Sequence, residues 1–77
     1  MKCSSSLQVG AFRLVDNAAA LRARLAERFA NVVIVPTDRD GVTYYRVRLG
    51  GFASDAELEA AAKALRVAGF APLLARD

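Results

Sequence analysis

Seventy-seven residues fit one small domain, a size that buries only about 60% of the surface its unfolded chain exposes. Apolar residues at 55% and charged residues at 25% describe a folded globular chain and not a disordered one. A net charge of +3 and a pI near 9.6 favour anionic partners only mildly. With no histidine and one cysteine, an intrachain disulfide, zinc sites of the usual Cys/His kind and histidine-based acid–base catalysis are excluded.

Residues 1–6 are polar and read as a disordered terminus or linker remnant, followed by one domain over 7–77. This opening lacks the apolar core of an export signal. Cys3 before three serines is a faint match to a lipidated cysteine, and the linker reading is preferred. No apolar run approaches the roughly 18 residues of a membrane span.

Leu7 to Phe12 predicts a first strand, with Leu7, Val9 and Ala11 on one side and Gln8, Gly10 and Phe12 on the other. Asp16 or Asn17 can cap a helix running to about Phe29, with Ala18, Leu21, Leu25 and Phe29 as its apolar stripe. The arginines Arg22, Arg24, Arg28 and, on the later helix, Arg66 are expected to be solvated. Val32 to Val35 is a β-branched run that predicts a second strand, and Pro36 puts it at a sheet edge. Thr37 to Gly41 reads as a loop with a hairpin signal at Asp40-Gly41.

Val42 to Leu49 is the third strand and alternates cleanly. Tyr45, Val47 and Leu49 suit a core, while Tyr44, Arg46 and Arg48 are costly to bury and belong on an open sheet face. Ser54 or Asp55 caps a second helix with Glu57 in capping-box position and Leu58, Ala61, Ala62 and Leu65 as its stripe; Gly69 ends it. Phe70 to Ala75 is the last strand, with Pro72 again arguing for an edge.

The order βαββαβ, right-handed crossovers and two proline-bearing edges select an α+β, ferredoxin-like (RNP-like) fold. Its four-stranded antiparallel sheet has strands one and three in the centre and both helices on one face. The halves also repeat: Gln8-Val9-Gly10-Ala11-Phe12 aligns with Arg48-Leu49-Gly50-Gly51-Phe52, each followed by a turn and a helix, with one residue of slippage.

These residues carry a resemblance. QVGAF in the first strand, YRVRLGGF in the third, and two alanine-rich helices resemble a SPOR (sporulation-related) domain over about residues 7–75. The resemblance implies a non-catalytic module that binds peptidoglycan glycan strands freed of stem peptides. It further implies a bacterial cell envelope (periplasmic) location enriched at the division septum, in hosts such as cell-division proteins, amidases or lytic transglycosylases of the rare lipoprotein A type. By the same resemblance the site lies on the open sheet face. The family glutamine matches Gln8, the small residue three places on matches Ala11, the aromatic and basic positions match Tyr44 and Arg46, and a late apolar residue of the fourth strand matches Leu74. Some members carry tryptophan where this chain has Tyr44, and serine where it has Ala11.

The side chains suit that role chemically. Removal of a stem peptide leaves a lactyl carboxylate on N-acetylmuramic acid, which Arg46 or Arg48 can grip through two charge-assisted hydrogen bonds. Tyr44 offers a flat face and a hydroxyl. Gln8 matches the N-acetyl amide as donor and acceptor, and Gly10 would let the strand approach a ligand closely. Against these stand plainer roles: arginines as a solvated face, glycines as twist or bulge positions, and Phe12 and Phe52 as core. No catalytic constellation, cofactor or metal site is expected, and the module is read as a monomer. An RRM-like RNA-binding domain is the alternative, although the aromatic-rich RNA-binding run is missing. A third class, pairing through edge strands, is opposed by Pro36 and Pro72.

Overall fold

The computed structural model describes residues 5–76; Cys3 therefore lies outside the described residues. Its elements are β1 (Ser5–Phe12), α1 (Val15–Ala26), β2 (Val32–Arg39), β3 (Val42–Leu49), α2 (Asp55–Val67) and β4 (Leu73–Arg76). The sheet order is β2-β3-β1-β4 and every pairing is antiparallel. This is the expected α+β, βαββαβ arrangement, with β2, which carries Pro36, and β4, which begins just after Pro72 and not at Phe70, at the edges.

One apolar cluster joins the sheet to both helices. Leu7, Val32, Val47 and Leu49 from the sheet meet Ala18 and Leu25 of α1 and Leu58, Ala62 and Leu65 of α2, all buried. Phe12, Phe29, Tyr45, Phe52 and Phe70 pack around them. Truncating Leu25 or Leu65, both fully enclosed, would cost about 2–5 kcal/mol through lost transfer energy plus the cavity left behind. Because strand side chains alternate, the residues between these core positions project from the opposite, helix-free face of the sheet.

Four local features differ from the sequence reading. First, β1 begins at Ser5, so two residues assigned to the terminus belong to the sheet; Ser6 is buried and its hydroxyl donates to the Ala75 carbonyl at 3.4 Å. Second, the α1 cap is Leu14, which supplies no side-chain hydrogen bond, and Asp16 sits in the first turn instead. Third, the loop expected over 37–41 is a two-residue turn. Arg39 pairs with Val42, and Asp40 (φ 51°) and Gly41 (φ 79°) both take the left-handed conformation that a tight hairpin of matching twist requires. Fourth, the helical arginines are exposed as expected, yet two of them also make contacts within the fold. Arg22 Nε donates to the Val32 carbonyl at 3.1 Å, tying α1 to the edge strand, and the Arg24 guanidinium lies 5.5 Å from the centre of the Phe70 ring, within cation–π range.

α2 starts as the capping box predicts: the Ser54 hydroxyl accepts from the Glu57 amide at 3.2 Å. Its C-terminal turn closes through Gly69 and Phe70, whose amide donates to the Leu65 carbonyl at 2.9 Å.

Candidate functional site

The site depends on an irregularity in β1. Gln8 pairs with Arg48, but the next paired residue is Gly10, opposite Val47. Val9 is therefore an extra residue, a β-bulge that shifts the alternation by one. In an unbroken strand Gln8 and Ala11 would face opposite ways. After the bulge Ala11 pairs with Arg46, and Gln8 and Ala11 share the helix-free face. Gly10 and Phe12 turn to the helices.

On that face, Gln8 and Ala11 of β1, Arg39 of β2, and Tyr44 and Arg46 of β3 line a shallow groove of about 330 Å³. Strand pairing positions each member: Arg46 lies between Ala11 and Val35, and Tyr44 lies opposite Thr37. The hairpin is pinned on its other side by the Thr43 hydroxyl, which donates to the Asp38 carboxylate at 2.6 Å. Asp38 is thereby held away from the groove, whose lining contains two guanidinium groups and no carboxylate. Among the described residues, no side chain is hydrogen-bonded or ion-paired to Arg39 or Arg46. Such a surface can hold a flat polar ligand bearing negative charge: a phenol for ring faces, an amide for hydrogen-bond pairing and two cations for anions.

The structure brings Gln8, Ala11, Tyr44 and Arg46 together as expected. Arg48 shares their face beside Gln8 but stands outside the groove lining; it is half-buried and takes part in an interaction within the chain. Two of the expected residues lie elsewhere. Gly10 does not border the groove. A Cβ there would point at the helices, 2.9 Å from Phe12 Cε2 and 3.0 Å from Leu21 Cδ2, so its missing side chain makes room for core packing. Leu74 pairs with Leu7 on the helix side and lines a cavity with Ser5, Asp55, Leu58 and Glu59. Its neighbour Leu73, 65% exposed, pairs with Gln8 and is the apolar β4 residue beside the groove.

Arg39, which the sequence reading places in a loop, ends β2 and lines the groove. The signal for it was the Asp40-Gly41 pair: a two-residue turn carries the ladder to Arg39 and puts it on the same face as Tyr44. Phe12 packs against the core, so among the described residues it adds no second aromatic beside Tyr44 for base stacking. Among the described residues no cluster of three or more Cys, Asp or Glu could hold a metal ion, and no helix is long and apolar enough to cross a membrane.

Comparison with protein families matches the SPOR domain over residues 5–76, nearly the whole chain. The chain belongs to the SPOR domain family. Among solved structures it is similar to the SPOR domain of RlpA from Pseudomonas aeruginosa, with 37% identity, a TM-score of 0.87, and coverage of 95% of this chain and 99% of that one. It is also similar to the peptidoglycan-binding domain of the B. subtilis cell wall lytic enzyme CwlC. That match has 25% identity, a TM-score of 0.69, and coverage of 95% of this chain and 87% of that one. No match was found among curated proteins.

Proposed function

We propose that this SPOR domain is a non-catalytic peptidoglycan-binding module that seats glycan strands freed of their stem peptides in the groove on its open sheet face. The observation that carries this reading is the cationic groove lined by Gln8, Ala11, Tyr44 and Arg46 in a chain of this family. Similarity to a domain described as peptidoglycan-binding, from a cell wall lytic enzyme, supports the same ligand class.

Mechanistically, the groove is preformed on strands, so little conformational entropy is lost when a polymer docks. Tyr44 stacks on a sugar face, Gln8 pairs with an N-acetyl amide, and Arg46 holds a lactyl carboxylate that exists only after the peptide has been removed. Ala11 keeps the centre of the groove low enough for the chain of sugars to cross it. A stem peptide, still attached through the lactyl group, would remove that negative charge and add bulk at the same point. The module then acts as a single copy in the cell envelope and brings whatever it is joined to toward the septum, where denuded strands accumulate.

Sedimentation with purified sacculi tests this reading. Amidase-treated sacculi should pull down the domain and untreated sacculi should retain little. Arg46→Ala and Gln8→Ala should each weaken pull-down without lowering the melting temperature. Undiminished retention of both variants would remove the groove from the mechanism; equal retention by treated and untreated walls would remove the preference for denuded glycan.

A further inference from the structure

We infer that the groove reads two carboxylates of one glycan strand, with Arg39 holding the second. This rests on the glycan reading above and adds to it a residue and a charge rule.

Arg39 and Arg46 lie at opposite ends of the groove with Tyr44 between them. Arg39 pairs with Val42, four residues before Arg46 on the neighbouring strand, which separates the two positions by roughly 14 Å along the strands. Both side chains line the same groove. Neither is engaged by another described side chain, and no acidic side chain is among the lining residues. Positions that far apart are largely screened from each other, and one carboxylate cannot reach both, so each guanidinium is left to hold an anion of its own. A peptide-free strand carries a carboxylate on every second sugar, so two successive carboxylates bracket one intervening sugar. Tyr44 is placed to receive that intervening sugar while a guanidinium grips the acid on either side.

The position of Arg39 is also fixed before any ligand arrives. The tight Asp40-Gly41 turn sets the pairing register, and the Thr43–Asp38 hydrogen bond closes the ladder beside it. Ligand binding therefore orders only the side chain.

The test is a cycle of variants titrated with a peptide-free tetrasaccharide carrying two lactyl carboxylates, and with the same tetrasaccharide after both acids are converted to neutral amides. Arg39→Gln and Arg46→Gln should each weaken binding of the acid form, Arg39→Gln by roughly fivefold for an exposed pair. The double variant should lose the product of the two factors, because the two guanidiniums hold separate anions. For the amide form, Arg39→Gln should bind as the unaltered domain does. Thermal melting is expected to be unchanged by Arg39→Gln, whose side chain is exposed at the hairpin end. A double variant no weaker than the poorer single variant would mean one shared anion, and would overturn the inference. So would an equal loss on the amide form, or no loss on either. If the unaltered domain binds neither tetrasaccharide, the glycan reading itself fails, an outcome distinct from the others.

Discussion

The two β–α halves of this domain share a pattern and use it differently. Gln8 to Phe12 and Arg48 to Phe52 carry matching letters about 40 residues apart. Yet β1 holds an extra residue at Val9, whereas β3 skips no residue in its pairing with either neighbour. The first glycine of each motif shows the contrast. Gly10 faces a crowded core, where Phe12 and Leu21 occupy the space a side chain would need, whereas a Cβ at Gly50 would meet only Ser6 Cβ at 3.8 Å. The helices differ too: α2 opens on a side-chain cap and α1 does not. The groove needs both halves. The regular strand supplies the phenol and one cation, while the bulged strand supplies an amide and a low floor. A repeat in sequence sets the order of elements, and its departures from symmetry distinguish their tasks.

Substitutions at matched positions should separate the halves. The largest effect is expected from Gly10→Ala, which should lower unfolding stability in urea by about 1–3 kcal/mol through overpacking; Gly50→Ala should stay within about 0.5 kcal/mol. Equal losses would mean that the two glycines do the same job. Next, Ala11→Glu should weaken retention on denuded glycan by about tenfold, roughly 1.4 kcal/mol, by placing a carboxylate between a bound acid and Arg46. Its urea midpoint should barely move, since Ala11 is exposed. Smaller again, Ser54→Ala should cost about 1 kcal/mol by removing the α2 cap. Asn17→Ala in α1 is expected to fall within about 0.5 kcal/mol, because no cap is lost; a loss there matching Ser54→Ala would reveal a role for Asn17 at the start of α1.

Much of this architecture could be read from residue patterns. Tyr44, Arg46 and Arg48 alternating with Tyr45, Val47 and Leu49 identified an open face, since guanidinium groups resist burial without partners. Pro36 and Pro72 marked the edges because proline cannot donate to a ladder. The site was legible less completely, and for a definite reason. Which way a strand residue points depends on a count, and a single extra residue reverses it. The resemblance put Gln8 and Ala11 on one face, while simple alternation put them on opposite faces; the bulge at Val9 reconciles the two. Gly10 marked a place where a bulge was possible, but a glycine in a strand does not say whether a residue is inserted or on which side of it. Leu74 was displaced for a similar reason: in a strand of four residues, with apolar side chains at both Leu73 and Leu74, hydrophobicity does not distinguish the faces. Arg39 was missed because Asp38, Arg39 and Asp40 look like loop composition, although the turn itself occupies only Asp40 and Gly41.

The pairing of β1 with β4 has a mechanical consequence. Ser5 lies opposite Arg76, so the first and last described residues meet at one end of the sheet, and tension applied between them would open that ladder one rung at a time, like a zip. Tension that entered through one of these ends and left through a polymer seated, as proposed, across β1 and β3 would follow another route. It must slide whole strands past one another and break many rungs together. On the proposed docking mode, the fold should therefore resist that pull better than a pull between its own two ends.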